Sequence, residues 1–321
     1  MNKFKKIIIS FLIVILATGC KKDKEVEKPI EKAPEIEEVE EKQTSEIKIK
    51  PGTFASKIVL DNIKNDEFDF KIDKSNNFSK IEQNDFDLAI VPGYLAPYFY
   101  NKTDGNIEVA AITSTGNLYM VSDTKLNSQM DYKGKNLYIP DITGNLSKIV
   151  ENKIGSLNFV LRLKLEYFKS LDEIVEKMDD SSNYVSILAD PFYTKSLRKN
   201  QYVSKVADLL PLGEGDFISE VVIASKDYLK NNKDDFDSFL KAYKNASDKI
   251  NKDTKISNDI LSAYDITEDE AKNAIDKMHI TYVDGKSMKD IYKDFIDNLY
   301  EFDNDIFAGD KPGDDFYYNY Y

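Results

Sequence analysis

The two side chains that most often do chemistry are almost missing. The 321-residue chain has one cysteine, Cys20, and one histidine, His279. A lone cysteine closes no internal disulfide, so the folded part must be held by its core. With one histidine and no other thiol, a Ser-His-Asp or Cys-His triad has no basis. His279, between Met278 and Ile280, reads as a structural or surface residue. No G-x-G-x-x-G and no G-x-x-x-x-G-K-[ST] occurs, so no cofactor is expected. Asp303-Asn304-Asp305 lacks the glycine and terminal glutamate of an EF-hand loop, and no metal site is expected. Asp172-Glu173 and Asp314-Asp315 read as caps or solvated faces. Basic excess is also absent: 44 Lys and Arg stand against 57 Asp and Glu, a net charge of −13. Such a field argues against a nucleic-acid partner, although a local pocket can differ from it. Beyond the first twenty residues no run approaches the apolar length that spans a bilayer.

What is present begins with a charged start. Lys3, Lys5 and Lys6 precede an apolar run from Ile7 to Ala17 that only Ser10 interrupts. That is the layout of a cleaved signal peptide, expected over residues 1–19. The run ends in Leu16-Ala17-Thr18-Gly19-Cys20, followed by Lys21-Lys22-Asp23. This resembles the bacterial lipobox, with Ala17 where leucine is usual. The resemblance implies a lipid on the Cys20 thiol and an extracytoplasmic protein held at the cell membrane. Residues 20–45 are densely charged and broken by Pro29 and Pro34, the composition of an extended, flexible spacer.

The body that follows is large enough for two lobes. Strands are expected at 46–50, 68–72, 87–91, 108–113, 118–122, 136–139, 163–167, 184–188, 203–209 and 220–224. Helices are expected at 55–63, 94–100, 145–152, 170–178, 234–250, 256–264, 267–278 and 287–300, and one opens at Ala189-Asp190-Pro191, with proline at an early position. Ser170…Glu173 and Thr267…Glu270 read as capping boxes. The alternation predicts an α/β protein with two mostly parallel sheets flanked by helices. Gly/Ser/Thr-rich loops follow the strands at 50–54, 91–94, 113–117, 140–145 and 188–192. In open α/β folds, ligands sit beyond the carboxyl ends of the strands.

Residues 85–123 carry the most specific pattern. Asp87, Ala89 and Pro92 match a strand of the form D-[IL]-A-x-x-P, and Asn101-Lys102-Thr103 and Gly105 match the segment after it. Asp131-Tyr132-Lys133-Gly134-Lys135 and Ala189-Asp190-Pro191-Phe192 match further stretches. The chain thereby resembles the solute-binding proteins of ABC importers, within the nitrate, sulfonate, taurine and thiamine-precursor binding group. The resemblance implies a two-lobed periplasmic-binding-protein-like fold of type II. Residues 46–114 with 220–321 would form lobe one and 117–216 lobe two. It implies ligand contacts at Thr53, Phe54, Gly93, Tyr94, Ser114, Thr115 and Gly116 in lobe one. In lobe two it implies Thr143, Gly144, Asn145, Asp190 and Phe192. The expected partners are a small solute, ABC permease subunits and the membrane through the lipid; the chain is expected to be a monomer and no enzyme. Relatives carry a G-P-x-G-like run after the first strand. Here Pro51-Gly52-Thr53-Phe54 brings a bulky ring, so an aromatic or heterocyclic solute gains over a sulfonate, while an organic anion remains open. A surface adhesin or structural lipoprotein is the alternative. A transferase or pyrimidine-forming enzyme on the same fold is a more distant one.

Overall fold

The alternation in Ile47–Lys50 forms strand β1, with Ile47 and Ile49 buried and Lys48 exposed. The computed structural model describes residues 47–63, 70–73, 78–141, 144–199, 201–204, 217–302 and 304–319. The expected signal, Cys20 and the spacer lie outside the described residues. The further strands are β2 (Phe70–Ile72), β3 (Leu88–Pro92), β4 (Ile107–Thr115), β5 (Tyr119–Ser122), β6 (Asn136–Pro140), β7 (Lys164–Phe168), β8 (Tyr184–Leu188), β9 (Tyr202–Ser204), β10 (Ile218–Ser225) and β11 (Ile280–Asp284). They build two sheets, ordered β11-β4-β10-β3-β1-β2 and β7-β6-β8-β5-β9.

Each sheet is mixed. The expected parallel pairing holds within β2-β1-β3 and within β7-β6-β8. The strands that cross between the sheets, β5 and β10, pair antiparallel to their neighbours. The reason is topological. A chain passing from β4 to β5, or returning to β10, enters its new sheet from the edge where β1, β3 and β8 end. It therefore runs against them. Strand β11 was not foreseen. Its five residues sit between two helices and alternate in no burial pattern, so β4 alone organises them, by antiparallel pairing of Ile280 with Ser114.

The helices are α1 (Phe54–Asp61), α2 (Ser79–Glu82), α3 (Ala96–Lys102), α4 (Asn145–Leu161), α5 (Leu171–Asp179), α6 (Phe192–Ser196), α7 (Lys226–Ser247), α8 (Asn258–Tyr264), α9 (Glu268–Ile275) and α10 (Gly285–Phe302). Helix α4 runs well past the expected end because Gly155 is tolerated in mid-helix and the stop comes only at Arg162, in left-handed conformation. Helix α7 starts earlier than its apolar stripe, since Ser225 Oγ accepts the Tyr228 N–H at 3.1 Å. Its backbone leaves helical geometry at Asn232, whose side-chain amide donates to the Tyr228 carbonyl at 2.9 Å. Ser170 caps α5 as expected, but Glu173 answers one residue earlier, accepting the Lys169 N–H at 3.0 Å. The Thr267–Glu270 capping box of α9 is complete.

One apolar cluster runs from Val91, Val109 and Val221 of the first sheet to Leu137, Ile139 and Val185 of the second. The lobes also touch through helices. Helix α6 packs on α9, and α4 packs on the turn Asn304–Phe307. The C-terminal tail returns to the first sheet, where the Tyr318 N–H donates to the Val109 carbonyl at 2.9 Å. No helix among the described residues is long and apolar enough to cross a membrane.

Candidate functional site

The strand ends that face the second sheet gather small residues, aromatic rings and carboxyl groups. At the end of β1, Thr53 caps α1, its hydroxyl accepting the Ala55 N–H at 3.2 Å. Ser56 Oγ accepts the N–H groups of Gly52 and Thr53 at 3.1 and 3.0 Å. This folds Pro51–Ser56 tightly over β3 and β10. A Cβ on Gly52 would lie 2.2 Å from the Ile90 carbonyl oxygen, so the close approach requires glycine there. Phe54 is buried and meets the ring of Tyr264 edge-on at 4.9 Å. From the other lobe, Phe192 meets the same ring at 5.7 Å. Lys57 Nζ lies 4.7 Å from the centroid of the Tyr264 ring, a cation–π contact. Burial lowers the Lys57 pKa. Tyr264, at the end of α8, thus joins the aromatic residues that the sequence placed in different lobes.

Beneath this group lies Glu220, on β10 between Pro92 and Ser114 and only 1% exposed. Ser56 Oγ donates to its Oε1 at 3.2 Å. Oε2 has no hydrogen-bond partner among the described residues. Burial pushes the carboxyl up to about 7, and hydrogen bonds from Thr53 and Ser56 offset only part of that. A second buried acid, Asp190, follows β8 and is 2% exposed. Thr194 donates to its Oδ1 through the backbone at 3.1 Å and the hydroxyl at 2.5 Å. Its Oδ2 also has no partner among the described residues. Burial raises it to about 6, against Thr194 and the charge of Lys277. Asn117 ties Ser219, the residue before Glu220, to Asp190. Its N–H donates to Ser219 Oγ at 2.9 Å, and its side-chain oxygen accepts the Asp190 N–H at 3.0 Å.

The other expected residues take varied places. Gly93 is packed, not open: a Cβ would lie 2.4 Å from the Ile218 carbonyl oxygen, and the Gly93 carbonyl accepts the Tyr292 hydroxyl at 2.6 Å. Tyr94 is half-buried and tilts against Phe217. Burial and the Asp141 carboxylate of the other lobe raise its phenol pKa. Ser114 is buried and donates to the Met278 carbonyl at 2.7 Å. Thr115 closes β4, and Gly116, at φ 61°, turns the chain toward β5. Gly144, at φ 80°, precedes α4, which starts at Asn145; Thr143 lies outside the described residues. His279 is exposed, at φ 46°.

Sequence reasoning missed Glu220, Tyr264, Asn117 and the lysines of this region. Glu220 had a signal, being the one charge in Ile218–Ala224. Lys277 and Tyr119 had none, because their role comes from tertiary contact. Tyr119 stacks on Tyr193 at 4.0 Å and donates to the Lys277 carbonyl at 2.6 Å. Lys277 Nζ donates to Thr194 Oγ1 at 3.3 Å. Around this contact the lobes are tied by Lys195 to Asp265 at 3.0 Å and by Arg198 to Glu270. A cavity of about 70 Å³ between α5 and α6 is lined by Val175, Met178 and Arg198. It is far below the ~300–1,000 Å³ of ordinary ligand pockets.

No protein-family model and no curated protein sequence matches the chain. Solved structures do. An ABC transporter structure from Parabacteroides distasonis has a TM-score of 0.64 at 20% identity, covering 85% of this chain and 99% of that one. The fold is that of the two-lobed periplasmic binding proteins. The alkanesulfonate-binding protein of Xanthomonas axonopodis pv. citri, bound to MOPS, gives 0.60 at 8% identity, covering 80% and 93%. The ligand-binding component of an ABC-type import system from Staphylococcus aureus, with zinc bound, gives 0.60 at 20% identity, covering 85% and 96%. At these identities the likeness speaks for the fold.

Proposed function

We propose that the chain is the extracytoplasmic solute receptor of an ABC importer, holding a small solute between its lobes and delivering it to permease subunits. The observation that supports this most is the convergence of residues from both lobes at the strand ends. Phe54 and Phe192 share Tyr264, and Asn117 joins Ser219, next to Glu220 on β10, to the Asp190 N–H. Buried apolar walls with a few polar groups suit a small ligand, and two crossing segments suit hinge closure around it. The names of the similar structures, transport components, agree with this reading. We take 46–114 with 220–321 as one lobe and 117–216 as the other, 1–19 as the signal, and Cys20 as the lipid anchor of a spacer. The twelve site residues named from sequence remain our candidates for the cleft. Glu220 and Tyr264 join them. We read the protein as non-catalytic, monomeric and without a nucleic-acid partner.

Native mass spectrometry of protein purified from its own membranes tests both halves of this reading. The expected spectrum shows a chain starting at Cys20 with diacylglycerol attached, and a non-covalent small-molecule adduct. An unlipidated chain in the membrane fraction would remove the anchor. A chain that no solute ever loads, with or without added metabolites, would remove the receptor.

A further inference from the structure

Buried polar atoms in folded proteins are nearly always hydrogen-bonded, so each exception needs a cause. Here two of the exceptions are carboxyl oxygens, one from each lobe. Glu220 Oε2 on lobe one and Asp190 Oδ2 on lobe two are both buried without a hydrogen-bond partner among the described residues. Asn117 joins the two segments: its N–H donates to Ser219, the residue before Glu220, and its side-chain oxygen accepts the Asp190 N–H.

The charges around the two acids differ. Thr53 and Ser56 of the α1 turn act on Glu220, and Tyr243 of α7 and Tyr264 of α8 feel its charge; none of these is cationic. Asp190 has Thr194 and Tyr193 on its own segment and Lys277 from the other lobe. Asp190 therefore already has a cation beside it, and Glu220 lacks one. A bound sulfonate or carboxylate would repel either acid once it is ionised and offer its orphan oxygen no donor, which is costly in a dry site. A group rich in N–H donors and positive charge does the reverse. The Tyr264 ring, which feels the Glu220 charge, already takes one cation, Lys57 Nζ at 4.7 Å, a contact of the same sign.

Resting on the receptor reading, we infer that the solute presents a protonated nitrogen, an ammonium or amidinium, to Glu220 Oε2, with Asp190 Oδ2 as a second acceptor from the opposite lobe. The contact orients the solute and joins the lobes. It draws Glu220 into its charged form, so binding of a permanently charged cation releases a proton. Because free Glu220 holds its proton up to about pH 7 and Asp190 up to about 6, affinity falls as pH drops through that range. Below it, the loss approaches about tenfold per pH unit for each proton released.

The test is thermal shift and calorimetry on the mature wild-type protein with compounds in charge-matched triplets. Each triplet carries an amine or amidine, an alcohol or amide, and a carboxylate or sulfonate on one skeleton; the skeletons are benzyl, phenethyl, imidazolylmethyl and linear alkyl. The expected result is stabilisation by the cationic members alone. Their affinity should weaken on acidification from pH 8 to 5 and drop at least tenfold in Glu220→Gln. The pH series on wild type needs no variant, and Asp190→Asn gives a second one should Glu220→Gln fold poorly. Stabilisation by the anionic members, or cation binding unchanged in Glu220→Gln, would overturn the inference and leave the receptor standing. No stabilisation by any member, alongside no solute in native mass spectrometry, would remove both.

Discussion

At the scale of single residues, Glu220 is the least expected feature. A carboxyl at 1% exposure with one oxygen unpartnered is a burden on the fold whenever it is ionised. Its folded value of about 7 lies above the ordinary 4.5. Between these values the folded state holds a proton that the unfolded chain releases, so stability is fully present below about pH 4.5 and declines up to about pH 7. Two and a half units correspond to about 3 kcal/mol as an upper bound. Glu220→Gln cannot titrate. Urea denaturation at pH 5 and pH 8 should therefore show a smaller stability difference in the variant than in wild type. Equal differences would mean that Glu220 is charged or solvated in the folded state. Asp190, raised to about 6, contributes in the same direction, so the variant's dependence shrinks without vanishing.

At the scale of elements, most of the fold was legible. Apolar runs such as Leu88–Val91 and Tyr184–Leu188 are buried throughout and became central strands. The capping residues Thr267 and Ser170 fixed helix starts. What could not be read was pairing direction and anything that a neighbour imposes, as with β11. The site was half legible for the same reason: loop positions follow from strand ends, but Tyr264 reaches Phe54 and Phe192 only through the packing of α8. Glycines make this distinction testable. A Cβ on Gly93 would lie 2.4 Å from a backbone oxygen, while one on Gly155 in α4 meets nothing within 4 Å. Gly93→Ala should cost about 1–3 kcal/mol or more through forced backbone movement. Gly155→Ala should gain about 0.5–1 kcal/mol from helix propensity. Chemical denaturation of the two variants reads both signs, and a neutral Gly93→Ala would mean that the β3 turn sits less tightly on β10.

At the scale of the molecule, the two sheets are held in one arrangement by contacts of different strength. The shared apolar cluster along the crossing strands is continuous. At α6 and the turn after it, polar ties stand beside the Phe192–Tyr264 ring contact: Arg198 to Glu270, Lys195 to Asp265 and Lys277 to Thr194. Arg198 holds the Glu270 carboxyl down to about 2, so that pair stays ionised at any ordinary pH. Partly exposed ion pairs are weak, typically about 0–1 kcal/mol each, and a hinge needs contacts that can be broken and remade. A solute bridging Glu220 and Asp190 would bias such a hinge by its affinity difference between open and closed forms, adding about 2.7 kcal/mol of apparent stability at one hundred times Kd. The most direct test is a crystal structure with the compound that raises the melting temperature most. The account predicts density between the lobes, against Phe54, Tyr264 and Phe192, with a nitrogen at hydrogen-bond distance from Glu220 Oε2. Density on an outer surface, with the cleft unchanged, would contradict it.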